Sequence, residues 1–317
     1  MGMRGMGRRH GTALRTLGSL ASLTLLASCR PDFPERESLI TEPRVVAIVS
    51  TPAEAKVGEA VHYQAWVARS VNDLQPSRAE WALCATPRRL TENGSVSPDC
   101  LGEGVVPLTG ADQEVSVAIP PTACSLFGPE TPPGDFRPRD PDGTGGFYQP
   151  VRLKTDGVVA FGMTRIGCNL ANAPVDAVRE FSRTYRANVN PVLQLVRGSM
   201  NGAAFPALLT EAPTTVPPSA RVTFRAEWPE ASRESYAFYD PNGAKVVLRV
   251  ETMRVSWFAT AGSFAVDRTG RSPDEGEPWS ENMWNADGAS GTVLFWVVLR
   301  DDRGGTAVRT FTLFVSS

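Results

Sequence analysis

Apolar and polar residues alternate along much of this chain with the period of two that half-buried strands require. In residues 61–68, Val61, Tyr63, Ala65 and Val67 share one face, while His62, Gln64 and Trp66 share the other. A short β-rich run at 45–49 precedes it, and strand character returns at 79–84, at Val115, Val117 and Ile119, at 151–153 and at 158–166. Further on, Val222, Phe224, Ala226 and Trp228 oppose Arg221, Thr223, Arg225 and Glu227. Residues 235–239, 246–252, 254–259, 292–300 and 307–315 add further strand candidates. The last two flank Asp301-Asp302-Arg303-Gly304-Gly305 and predict a hairpin. One segment has a helical period instead. In 174–185, Val178, Phe181 and Tyr185 fall at i, i+3 and i+7, and Pro174 suits a first helical position.

Short strands separated by turns predict an all-β protein made of sandwiches. Gly 28 and Pro 26, 54 of 317 residues, agree with many turns and argue against a helical bundle. The stretch 51–59 places a Pro-bearing, turn-rich link ending in Gly58-Glu59 between two strands. That layout resembles the opening of bacterial immunoglobulin-like modules, and the final hairpin resembles the end of immunoglobulin-like or PKD-like repeats. The resemblance implies two β-sandwich modules, at 43–191 and 192–317. The first carries a Pro-, Gly- and Asp-rich insertion at 120–150, stapled near its start by Cys124, and one short helix. Trp228, Trp257 and Trp296 fall within strands and are expected in the core.

Ahead of these modules, residues 1–16 carry Arg4, Arg8, Arg9 and Arg15, and the apolar stretch 17–26 follows. That stretch is half the length a membrane span needs, about 20 residues, and has the form of a signal-peptide core. It runs into Leu26-Ala27-Ser28-Cys29, which resembles the lipobox of bacterial lipoproteins. The resemblance implies that 1–28 is a signal peptide and that Cys29 becomes the first mature residue. The Cys29 thiol would be diacylated and its amine acylated, anchoring the protein to a membrane. Arg30 after the Cys leans toward the outer membrane of a Gram-negative bacterium. Residues 29–42, polar and with two prolines, then read as a tether.

Four cysteines remain. An even number in an exported chain reads as disulfides, and of the three possible pairings Cys84–Cys100 with Cys124–Cys168 closes two local, uncrossed loops. Zinc is disfavoured, because the spacings lack paired CxxC units and only His10 and His62 occur.

The net charge is −2; removing the four leader arginines from the 32 basic residues leaves 28 against 34 acidic ones. A mildly acidic body offers no footprint for nucleic acid. Catalytic motifs of the HExxH, GxSxG, Walker and GxGxxG types are missing, and His62 sits mid-strand, so no enzyme is expected. Asp135, Asp140 and Asp142 in the Gly- and Pro-rich loop are the best candidates for a cofactor, Ca²⁺, although Arg137 and Arg139 oppose it. Tyr148, Trp279 and Trp284 are candidates for stacking on a sugar ring or anchoring a protein, the two tryptophans being placed in a polar loop at 267–291. The expected role is a non-catalytic binding or structural module of the envelope, with an envelope protein or glycan as partner. The alternative is carbohydrate binding or cell-wall processing.

Overall fold

The computed structural model describes residues 36–70, 78–89, 92, 94–110, 112–129, 143–170, 173–205 and 213–316. Its first sandwich is built from β1 (Arg44–Thr51), β2 (Glu54–Ala55), β3 (Ala60–Ala68), β4 (Glu80–Cys84), β5 (Val105–Pro107), β6 (Glu114–Ala118), β7 (Gly146–Thr155) and β8 (Val158–Gly167). One sheet has the order β1-β3-β6, the other β2-β8-β7-β4-β5. The apolar positions of the alternating runs meet between them: Val61, Tyr63 and Ala65 of β3 against Trp81 and Leu83 of β4, Val151 and Leu153 of β7 and Ile166 of β8. Burying each large apolar side chain contributes about 1.5–3 kcal/mol, which fixes the register, because a one-residue slip would turn His62 and Gln64 inward. Tyr63 is accommodated by a hydrogen bond from the Thr164 hydroxyl at 2.7 Å, and burial pushes its phenol up to about 12.

Both disulfides have the pairing that local loop closure favours. Cys84, ending β4, is bonded to Cys100 in a 3₁₀ turn, and Cys124 to Cys168 just beyond β8. Cys124 lies in a short helix, α1 (Ala123–Phe127), which the alternation did not foreshadow. The expected insertion at 120–150 is described only at its ends, and its last residues are strand, since β7 begins at Gly146. The anticipated helix is α2 (Val175–Thr184), with Pro174 as its N-cap rather than its first helical residue.

The second sandwich repeats the plan. It contains β9 (Leu195–Met200), β10 (Ala203–Ala204), β11 (Thr214–Val216), β12 (Arg221–Glu227), β13 (Ser235–Asp240), β14 (Lys245–Val250), β15 (Met253–Ala259), β16 (Ser263–Phe264), β17 (Arg268–Arg271), β18 (Trp279–Asn285), β19 (Gly291–Arg300) and β20 (Thr306–Val315). The sheets run β10-β9-β12-β18-β16 and β11-β20-β19-β15-β17, with β13-β14 as a separate hairpin. In both modules a short strand pairs in parallel with the last long one, β2 with β8 and β11 with β20. The long strands place the first, second and fifth elements of an immunoglobulin-like sandwich in one sheet and the remainder in the other. An aromatic core holds the second module: Phe224, Trp257, Phe264, Trp284, Phe295 and Phe311 are buried, with Phe295 stacked on Phe311 at 4.7 Å.

Two expectations are corrected here. The segment 267–291 is not a loop, since it forms β17 and β18. Its inward residues Ser280 and Asn282 are polar, so hydrophobicity did not alternate, and Asn282 pairs its amide with Val266 O at 2.7 Å. The described part of the 29–42 segment is also bound to the body rather than free. Leu39 bridges Ala259, Ile40 N–H reaches Ala259 O at 2.9 Å, Ser38 O accepts Ala259 N–H at 2.9 Å, and Ile40 is 1% exposed. Ile40 joins Val46, Ala47 and Ala68 over Trp296 and Val298, so the first module's β1 covers the outer face of the second module's β19. Trp296 is therefore buried between the modules and not between the sheets.

Candidate functional site

A group of buried charges lies where the modules meet, and the β19–β20 turn organises it. Asp301 Oδ1 accepts the N–H groups of Arg303 at 2.9 Å and Gly305 at 2.8 Å, closing the turn on its own side chain. Gly304 has φ +103°, and a Cβ on Gly305 would collide with the Asp301 carboxylate, so the Gly-Gly pair is a geometric requirement. The turn aims Arg303 into the interior. Its Nε donates to Glu251 Oε1 at 2.7 Å, Nη2 to Glu234 Oε2 at 2.8 Å and Nη1 to Arg186 O at 3.0 Å. Glu251 Oε2 in turn accepts the Glu234 N–H at 2.9 Å.

From this turn the bonding crosses to the first module. Asn188 Nδ2 donates to Asp301, and the Asn188 N–H donates to Glu54 Oε2 at 2.9 Å. Glu54 is paired with Arg165 Nε at 2.9 Å and accepts the Tyr185 hydroxyl. Asn190 Nδ2 donates to Ser50 O at 2.7 Å, while its Oδ1 accepts the Thr306 N–H at 2.8 Å. Tyr148 donates to Arg303 O at 3.2 Å. Glu54, Arg165, Arg303 and Glu251 are each no more than 5% exposed.

Such burial shifts the acids. Glu251 is pushed up to about 7, chiefly by desolvation and then by the Asp301 charge, against the pull of Arg303. Asp301 is raised by desolvation despite its N–H bonds, and Tyr185 is raised by burial and the adjacent Glu54. A carboxyl near neutrality is what acid–base catalysis uses. Here, however, Glu251 is 0% exposed and both its oxygens are engaged by the protein. The arrangement binds module to module and takes up a proton as pH falls.

Of the residues singled out from sequence, Cys29, Asp135, Asp140 and Asp142 lie outside the described residues. Among the described residues no group of three His, Cys, Asp or Glu side chains could hold a metal ion. Trp284 is not a stacking platform: it is 0% exposed in the second core, its indole N–H bonded to Ala261 O at 3.0 Å. Trp279 begins β18 half-buried, with the Arg225 and Arg271 guanidiniums 4.1 and 4.7 Å from its ring centre. Tyr148 belongs to the junction. The three aromatics do not converge on one site, because period two sends Trp284 inward and the hairpin docks over Tyr148.

His62 meets Ser116 Oγ at 3.1 Å and Glu114 Oε2 at 3.7 Å on the open face of the β3–β6 pair. The grouping has the residue types of a hydrolytic triad, but the His62 and Glu114 side chains are about half exposed on the face of the sheet, open to water. Sequence reasoning missed Glu54, Arg165, Glu251 and Arg303, whose single local signal is Asp301-x-Arg303-Gly-Gly in a hairpin turn.

No protein-family model and no curated protein sequence matches this chain. Solved structures with which it aligns include the fibronectin(III)-like modules of Clostridium thermocellum CbhA, at 11% identity over 86% of this chain and 94% of that one, TM-score 0.23. They also include the Yersinia pseudotuberculosis adhesin InvE, at 9% identity over 84% and 58% of the two chains, TM-score 0.21. A third is Escherichia coli alpha-2-macroglobulin, at 11% identity over 90% and 22%, TM-score 0.21. At such scores none of these likenesses bears on function, and the fold rests on the strand order itself.

Proposed function

We propose that this chain is a lipid-anchored protein of the Gram-negative envelope, in the outer membrane, whose two sandwiches form one rigid, non-catalytic binding or structural unit. The observation that carries the rigid-unit part is the junction. Opening it would break the bonds of Asn188 to Glu54 and Asp301, of Asn190 to Ser50 and Thr306, and of Tyr148 to Arg303 O, and would expose the apolar contact of Val46 and Ala47 with Trp296 and Val298, so the modules do not hinge freely. Its acids are consumed in holding arginines and backbone N–H groups, which supports a role without turnover. The anchoring part rests on Leu26-Ala27-Ser28-Cys29 and the basic, apolar leader before it. Glycan stacking is not retained as a second reading, because Trp284 is core, Tyr148 is half-buried at the junction, and the half-buried Trp279 ring lies against Arg225 and Arg271.

Mass spectrometry of the protein from membranes of its native host tests the anchor. A mature N-terminus at triacylated Cys29, lost in Cys29→Ser with the precursor accumulating, is the expected result. An unacylated terminus elsewhere overturns it.

A further inference from the structure

The hairpin β13–β14 is a sheet of its own, paired with neither main sheet of the second sandwich, and its two edges differ. On the β13 side, Tyr239 N–H is taken by Gly143 O at 2.6 Å, so the first module contacts that edge. β14 pairs with β13 alone among the described residues, which leaves its outer row of N–H and C=O groups without a strand partner. Its sequence, Lys-Val-Val-Leu-Arg-Val, is rich in β-branched residues suited to strand pairing.

The two faces of that edge are chemically distinct. The register Ala237↔Leu248 and Tyr239↔Val246 puts Val246, Leu248 and Val250 on the same face as Ala237 and Tyr239. On that face α2 lays Ala177 and Phe181 over β13 and touches Val246. The cover stops there, leaving Leu248 70% exposed and Val250 37% exposed. On the opposite face lie Lys245, Val247 and Arg249, both cations being exposed, Lys245 opposite Asp240 and Arg249 stacked over the Phe238 ring, and β14 itself contains no acid.

We propose that β14 is a docking edge for an extended peptide of alternating apolar and acidic residues, added as a third strand of the hairpin. The backbone groups supply affinity without regard to sequence, and the pleat supplies selectivity. Alternate apolar side chains of the incoming strand lie beside Leu248 and Val250 under the flank of α2, and the intervening acids lie beside Lys245 and Arg249. Charge selects this occupant over a second copy of the chain, since self-pairing would gather two lysines and two arginines along one seam. The inference extends the reading of the chain as a binding unit by naming the partner's chemistry, and it stands apart from the fate of Cys29. A peptide that fails to bind leaves the anchor as it was, and a missing lipid leaves the edge as it was.

The test uses the full chain in detergent and two synthetic peptides, one alternating Val with Glu and one alternating Val with Lys. The Glu peptide is expected to bind at least tenfold tighter, and to slow hydrogen exchange of amides in 245–250. The double variant K245E/R249E should reverse the preference, and Leu248→Asp should weaken the Glu peptide, both with an unchanged urea midpoint. Absence of binding by the Glu peptide at millimolar concentration, equal binding of both peptides, or binding without slowed exchange in 245–250 overturns the proposal. Self-association that Leu248→Asp abolishes also overturns it, and assigns the edge to a second copy.

Discussion

Replacing Arg303 by methionine removes the guanidinium and keeps much of the stem volume. Glu251 then loses its bond at 2.7 Å while staying at 0% exposure, and Glu234 and Arg186 O lose bonds at 2.8 and 3.0 Å. Removing one partner of a buried ion pair typically costs about 3–5 kcal/mol, and two charge-assisted bonds at about 1.5–3 kcal/mol each give about 3–6 kcal/mol, an overlapping range. Because Glu251 already sits near 7, it can meet the loss by taking a proton. The cost should therefore be smaller at pH 5 than at pH 8. Urea denaturation followed by tryptophan fluorescence reads this, since Trp81 reports on the first module and Trp228, Trp257 and Trp284 on the second. With a slope of about 3 kcal/mol per molar or more, the midpoint at pH 8 should fall by about 1 M. Adding Glu251→Gln to Arg303→Met should recover part of the loss, because the fully buried position 251 then carries no unpaired charge. A midpoint within about 0.2 M of the parent at pH 8, or the same loss at both pH values, would refute this account of the junction.

The unaltered protein carries a pH signature of its own. A proton is held more tightly by folded Glu251, near 7, than by the unfolded residue at its ordinary 4.5, so its contribution is complete below about 4.5 and is lost as pH rises through 7. Stability contributed by this site should decline from pH 5 to 8, and Glu251→Gln should flatten that limb of the urea-midpoint profile; an unchanged slope would point to other groups. Opening the disulfides by Cys84→Ser with Cys100→Ser should cost about 3 kcal/mol for a separation of 16, and Cys124→Ser with Cys168→Ser about 4 kcal/mol for 44, before strain. A smaller loss for the longer loop in denaturant titration would contradict the chain-entropy ordering. Trp284→Ala should destabilise by about 3–5 kcal/mol and Trp279→Ala by much less, the reverse order being incompatible with their burial.

The sequence made legible those strands whose buried face is apolar. Val222, Phe224 and Ala226 alternate with polar residues because one face meets the second core, and the same period exposes His62 and buries Tyr63. β18 was invisible because two of its inward residues are Ser280 and Asn282, chosen for hydrogen bonding rather than transfer from water. Both cystine pairs were readable because their loops are local. The junction was not, because its meaning depends on distance: Asp301 meets Asn188 across 113 positions and Tyr148 meets Arg303 across 155. In a linear reading Asp301-Asp302-Arg303-Gly304-Gly305 is a solvated hairpin tip, and what buries it is the linker residues 186–190 folding back over it.

The segment from Arg36 to Ile40 belongs by sequence to the approach to the first module, yet it is bound to the second. Arg36 holds Phe264 O at 2.8 Å, Ser38 N–H holds Asp267 at 3.2 Å, and residues 38–40 run parallel to the end of β15. A pull applied at the N-terminus would therefore load the second module before it reached β1. The interlocked bonds along Ser38 and Ile40 would carry that load together, in shear, rather than open one after another like a zipper. The connection between the modules would be bypassed, and the first module and the linker would ride unloaded on a root provided by the second. Traction on this protein would be felt first by the half of the chain farthest in sequence from where it is applied.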